Sequence, residues 1–265
     1  AKLIVEIATS PSLLHLTNRP VPTFKDKLMH RFSNMCLHLA VLAADQTHVL
    51  APNTLDAYPR LRTAPQSVFH DFVPVASIRR TRGKGDPVIL MVGAPWYLKG
   101  IDLLVKAFMN LQADYPSAKL QLLGHYPELE KFDDTFRGNP RIEVLKGRPH
   151  PETLELISQA SIFVLPSRCE GMGRVLLEAM GAGVPVVGSR VGGIPHVIRD
   201  GETGYLFPSD DAAALEDRLR RLLDDPSLRA RMGEAGFQLV QREFSEEAYV
   251  AHFTGMVNAA MKGAQ

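Results

Sequence analysis

Apolar and polar positions along the chain fall into two regimes. Up to about residue 87 the pattern is broken. Residues 2–7 (KLIVEI) read as a strand, and a polar turn region over 9–22 follows, punctuated by Pro11, Pro20 and Pro22. Residues 24–44 carry Leu28, Phe32, Met35, Leu39 and Leu42 at three- and four-residue spacing, which predicts a helix. Residues 47–51 (THVLA) predict a short strand, and 53–58 the opening of a further helix. Beyond Pro87, short apolar runs alternate regularly with amphipathic stretches. Strands are predicted at 88–93, 119–124, 141–145, 161–165, 184–188 and 205–207. Helices are predicted at 101–114, 152–160, 175–180, 210–223, 228–233 and 246–261. This alternation argues for an α/β fold with a parallel sheet and helices on both faces.

Composition narrows the function without naming it. A formal charge of +1 on 265 residues gives no field for a polyanion, so nucleic-acid binding has little support. The two cysteines, Cys36 and Cys169, have no metal-type spacing and suit a reducing, cytoplasmic compartment. The longest apolar run, residues 35–44, is too short to span a bilayer. Residues 77–85 (SIRRTRGKG) are the most basic stretch. They fit an acidic membrane surface, a phosphorylated substrate or a solvated linker. No G-x-G-x-x-G follows a strand, and there is no G-x-x-x-x-G-K-[ST], D-x-D or H-E-x-x-H, so no metal ligands are assigned.

The most informative stretch is residues 166–185, PSRCEGMGRVLLEAMGAGVP. An apolar strand runs into a loop holding Glu170, Gly171 and Gly173, and a helix of good formers follows. That order makes a phosphate site: bare backbone can approach a ligand, and the free N–H groups of the first helical turn favour an anion. Glu170 and Glu178 stand eight residues apart, ~12 Å along an axis if the stretch were fully helical. They are too far apart to share a proton as a glycosidase pair does. They suit two separated hydroxyl groups on one elongated ligand, although Glu178 also reads as a helix carboxylate favoured by the dipole.

Together these residues resemble the signature of family 4 glycosyltransferases, retaining enzymes of the GT-B fold, with Met172 where the pattern has Phe. The resemblance is well matched from about residue 88 to 204. It implies that Glu170 contacts the transferred sugar, Glu178 holds the ribose hydroxyls, and the Gly171, Met172, Gly173 and Val175 backbone lies against sugar and diphosphate. The segment 92–100 resembles the family's VGRL-x-x-x-KG, with Gly93 at the end of a strand and Lys99 placed to neutralise the leaving diphosphate. The family's arginine is replaced by Ala94. Arg174, Arg148 and Arg190 are candidates to restore the charge, Arg174 first because it opens the helix beside the loop. Gly147 and Arg148 end a strand where the nucleobase lies in this fold, and 192–195 (GGIP) resembles a family turn, with His196 in place of glutamate.

The organisation implied is GT-B-like. Residues 1–85 form a partial, acceptor-side N-terminal α/β domain and linker. Residues 86–245 form a complete Rossmann-type, doubly wound nucleotide-sugar domain, and 246–265 a helix crossing back to the first domain. The chain is expected to be the later part of a longer protein, or a natural short form. No counterpart of the family's N-terminal glycine loop is found, and no histidine falls at residues 6–10. The expected activity is metal-independent, retaining transfer from a nucleotide-diphosphate sugar to an acceptor, without a cofactor, in the cytoplasm or with peripheral membrane contact. The rival is a non-catalytic nucleotide-sugar-binding module, or half of a split enzyme. A GT-B sugar epimerase fits the context of residues 171–180 less well.

Overall fold

A computed structural model describes residues 4–7, 23–50, 66–81, 83, 85–126 and 138–262. The predicted turn region at 9–22 and the helix at 53–58 lie outside these residues.

The larger layer is a six-stranded, wholly parallel sheet in the order β6-β5-β4-β7-β8-β9. Its strands are β4 (Val88–Val92), β5 (Lys119–Leu123), β6 (Ile142–Leu145), β7 (Ile162–Leu165), β8 (Val186–Ser189) and β9 (Gly204–Phe207). The central strands are apolar throughout because both faces are covered. In β7, Phe163 and Leu165 point to one core with Leu176, Leu177, Met180 and Val240. Ile162 and Val164 point to the other, with Leu104, Phe108, Leu215 and Leu219. The first face is covered by α3 (His150–Gln159), α4 (Arg174–Gly181), α5 (Ile194–Val197) and α7 (Pro226–Glu243). The second is covered by α2 (Ile101–Leu111) and α6 (Ala212–Asp224).

The chain winds outward from β4 to β6 and then returns to place β7 on the other side of β4. That reversal opens a crevice at the carboxyl ends of β4 and β7, where open α/β sheets bind ligands. The loops leaving these two strands carry Lys99 and Glu170.

A smaller parallel sheet, β1-β2-β3, is formed by Ile4–Ile7, Gln46–Val49 and Gln66–Val68. Strand β3 was not expected, because three residues with a Gln-Ser start give no alternation to read. Every residue of β2 is buried, including His48. The ring nitrogens of His48 lie 3.1 Å from Glu6 Oε2 and 2.9 Å from the Phe69 carbonyl. Helix α8 (Glu246–Lys262) lays Tyr249 and His252 against Phe69, at 5.4 and 5.8 Å between ring centroids.

Helix α1 (Phe24–Leu42) forms where the spacing predicts it, but its apolar stripe faces outward. Phe24, Leu28, Phe32, Met35, Leu39 and Leu42 are all exposed, whereas Val41 joins Ile7 and Val49 in a small core. Among the described residues no helix is long and apolar enough to cross a membrane. Two further helices differ from expectation. Helix α7 runs through Gly233 and Gly236, both buried inside it, because its start is fixed at Asp225, whose carboxylate accepts from the Leu228 N–H. Helix α3 begins two residues before 152, because Pro151 suits the first turn.

The basic stretch joining the two sheets is partly packed. Arg80 pairs with Glu234 at 2.5 Å, and its guanidinium lies 3.9 Å from the Phe237 ring centroid. Just before it, His70 Nδ1 donates to the Leu50 carbonyl at 2.7 Å, and its ring rests against Phe244 and His196. Burial lowers the His70 pKa, and the neighbouring His196 and His252 add to this against the opposing effects of the Leu50 bond and Glu243. A folded-state pKa below the unfolded ~6.5 means that the unfolded chain binds more protons in this window. The contribution is therefore present above pH ~6.5 and lost as pH falls through the lower folded value. Melting temperature should decline as pH falls from about 6.5 to the lower folded value, and His70→Phe should flatten the decline. An unchanged slope in the variant would remove His70 from the account.

Candidate functional site

The loop between β7 and α4 is held in place by Arg168, a residue that spacing alone does not single out. Its guanidinium grips Asp102 with two bonds of 2.8 Å, donates to Asp210 at 2.7 Å and to the Tyr97 carbonyl at 2.7 Å. The ring of Tyr97 stacks beneath it at 4.2 Å, and the backbone N–H of Arg168 donates to the Leu98 carbonyl. Burial would lower its pKa, but the bonds and charges of Asp102 and Asp210 outweigh that and push it up. These ties run to the loop carrying Lys99, to the first turn of α2 that follows it, and to Asp210 just before α6.

The two loops also touch through backbone. Gly100 has φ 66°, and a Cβ there would lie 2.0 Å from the Pro166 carbonyl oxygen, so only glycine lets the β4 loop close on the β7 loop. The outcome is a contact between the two predicted catalytic residues. Lys99 Nζ lies 2.5 Å from Glu170 Oε2, with the side chains 20% and 14% exposed. Ser167 Oγ donates to the same oxygen at 3.2 Å, and Ser189 Oγ in turn donates to the Ser167 carbonyl at 2.5 Å. Gly93 lies under the Lys99 stem, and its carbonyl accepts from the Tyr126 hydroxyl at 2.8 Å.

On the opposite side, the 192–195 turn braces the loop. The Gly193 N–H donates to the Gly171 carbonyl at 2.6 Å, and Gly192 has φ 52° with room for no Cβ, which would meet the Glu170 carbonyl oxygen at 1.8 Å. Gly192→Ala is expected to destabilise the fold by about 2 kcal/mol or more, from left-handed strain plus displaced loop backbone. A melting temperature within a degree of the parent would contradict that.

Gly173 precedes α4 in a left-handed conformation, and Arg174 is the first helical residue. Met172 is buried in the core, so it can meet a ligand only through its backbone, whereas Val175 packs partly buried against the core's edge. The Arg174 guanidinium turns to Asp71, 3.3 Å away in the segment after β3. Glu178 is 8% exposed, on the side of α4 facing α3. His150 Nε2 lies 3.0 Å from its Oε1, and Arg174 Nε lies 3.9 Å from the same oxygen. Arg148 sits exposed in the β6–α3 loop, where its carbonyl accepts from Thr153, and Arg190 pairs with Asp200. The predicted residues thus form two centres. Lys99, Glu170 and Gly93 meet at the β4/β7 crevice, and Glu178 with Arg174 lies along α4. Arg190 is engaged elsewhere.

A protein-family model described as glycosyl transferases group 1 matches residues 76–239, which takes in both loops, α4 and the whole larger sheet. The chain belongs to this family. Among curated relatives, it is 37% identical over 158 residues to the N-acetyl-alpha-D-glucosaminyl L-malate synthase of Bacillus anthracis. That match covers 59% of this chain and 41% of the relative. Sucrose-phosphate synthase from Thermosynechococcus elongatus superposes with a TM-score of 0.81 at 24% identity, over 99% of this chain and 68% of that one. Anabaena Alr3699/HepE, solved in complex with UDP and glucose, superposes with a TM-score of 0.80 at 15% identity, over 98% and 72%. The matches span from 31% to 53% of the first curated relatives, so this group 1 chain corresponds to part of their length. The fold is GT-B-like, with a six-stranded parallel Rossmann-type sheet and a short three-stranded one among the described residues.

Proposed function

We propose that this chain binds a nucleotide-diphosphate sugar at the β4/β7 crevice and transfers the sugar with retention, without a metal, to an acceptor held on the side of the smaller sheet. The observation that carries this reading is the meeting of Lys99 with Glu170 at the switch point of the sheet, beside the N-terminus of α4. Lys99 neutralises charge on the leaving diphosphate, together with the N–H groups of the Gly171–Val175 backbone, where a negative charge is favoured. Glu170 accepts hydrogen bonds from hydroxyls of the transferred sugar, and the bond from Ser167 fixes its carboxylate. Glu178 accepts from the ribose hydroxyls. Arg174 swings from Asp71 to the diphosphate when the donor arrives, and the loop at Gly147 and Arg148 borders the base. The leaving diphosphate itself takes the acceptor's proton, which keeps attack on the face the leaving group departs from. In this division, residues 1–85 and 246–265 serve the acceptor side and 86–245 the donor.

A second reading has support from the partial coverage of the curated relatives. In it the chain binds the donor and turnover requires further polypeptide. Both are tested by thermal-shift titration with uridine, guanosine and adenosine diphosphates and their sugar conjugates, on the parent and on Glu178→Ala, followed by donor-hydrolysis and transfer assays. A stabilisation by one nucleotide that Glu178→Ala loses supports a working donor site. Binding without turnover favours the second reading. No stabilisation by any nucleotide rejects both. For Arg174→Ala, donor affinity equal to the parent's would remove Arg174 from the diphosphate site.

A further inference from the structure

We infer that His150 is a positioning residue for Glu178, fixing that carboxylate so that it presents one oxygen to a ribose diol. The inference rests on the reading of Glu178 as the ribose carboxylate. An ionised carboxylate can only accept, so the 3.0 Å contact is a bond donated by the His150 Nε2–H. Both cationic or N–H-bearing neighbours of the Glu178 head, His150 Nε2 and Arg174 Nε, lie on Oε1. A carboxylate held at one oxygen cannot rotate freely about its last torsion, and Oε2 keeps its lone pairs for a ligand. This is pre-organisation: the entropy of orienting the acceptor is spent on folding rather than on binding.

The position of His150 gives it that capacity. It is the first residue of α3, followed by Pro151, so its backbone is set by the helix start and not by a free loop. Leu154 and Ile157 of α3 share a core with Leu177 and Met180 of α4, which holds the imidazole and the carboxylate at a fixed separation. The ring is 54% exposed while Glu178 is almost buried. The imidazole therefore stands at the rim, beside Arg148 and Pro149, with the carboxylate behind it.

The test compares ribonucleoside diphosphates (uridine, guanosine and adenosine) with their 2′,3′-dideoxy counterparts, by calorimetry on the parent, His150→Ala and His150→Gln. The parent is expected to prefer the ribose form by about 10- to 100-fold, the worth of hydrogen bonds to a charged acceptor. His150→Ala should cut that preference about fivefold or more while leaving dideoxy affinity nearly unchanged. His150→Gln, whose amide can still donate, should restore most of it. If His150→Ala weakens ribose and dideoxy forms alike, the histidine is only structural and the inference is overturned while the Glu178 reading stands. If the parent itself shows no ribose preference, or binds none of the nucleotides, the Glu178 reading falls and takes the inference with it.

Discussion

Replacing Lys99 with methionine is expected to lower kcat for sugar transfer by about 100- to 1,000-fold, the range seen when one pre-aligned charge-stabilising group is removed. The stem of methionine can still lie over Gly93, so the change isolates the ammonium. Lys99 and Glu170 are both largely shielded from solvent, and in such a site the ammonium's field on a diphosphate is little weakened by water. The same substitution should weaken nucleotide binding less than it slows transfer, because leaving-group charge develops along the reaction coordinate. Single-turnover transfer beside calorimetric Kd values measures the two effects separately. Turnover within threefold of the parent would mean that the diphosphate is neutralised elsewhere.

Arg168→Ala should produce the largest loss of stability. It leaves Asp102 and Asp210 without their shared partner and opens the tie between the two loops. Removing one member of a shielded, multiply bonded charge cluster costs about 3–5 kcal/mol. Asp102 and Asp210 are themselves partly in solvent, which favours the lower end of that range. For a chain of this size the melting temperature would drop by on the order of 10 °C. Arg168→Lys should recover little, since an ammonium cannot make the paired bonds to Asp102. A drop of only one or two degrees for the alanine variant would show that backbone contacts at Gly100 hold the loops unaided.

Much of this is legible in the sequence alone. The strand, glycine loop and helix over 161–180 are local, each residue choice agreeing with its neighbours, and they form as spacing predicts. So does the alternation that builds the larger sheet, because its central strands β4, β7 and β8 are buried on both faces and read as apolar runs. Lys99 and Glu170 are 71 residues apart, yet their meeting follows from strand order, since their loops leave adjacent strands. What was not legible depends on side chains meeting across elements. Nothing local marks His150 as the partner of Glu178 or Asp71 as the partner of Arg174. Arg168 lies inside the quoted stretch, but its worth comes from Asp102 and Asp210, remote in sequence. The burial of β2 and the outward face of α1 are also tertiary outcomes: a period of 3.6 names a helix and one of its faces, not what that face meets.

That outward face bears on how the chain comes apart. Denaturant m-values report surface newly wetted on unfolding, and seven large apolar side chains of α1, Met29 among them, are already wet. Among the described residues the smaller sheet buries only Ile7, Val41 and Val49 as its own core. The amides of β2 and α1 should therefore exchange with solvent deuterium through a shallow, local opening that depends weakly on urea. Those of β4, β7 and β8 should wait for global unfolding. The two populations of exchange rates would divide the molecule into a part that reshapes easily and a part that keeps the β4/β7 crevice in register.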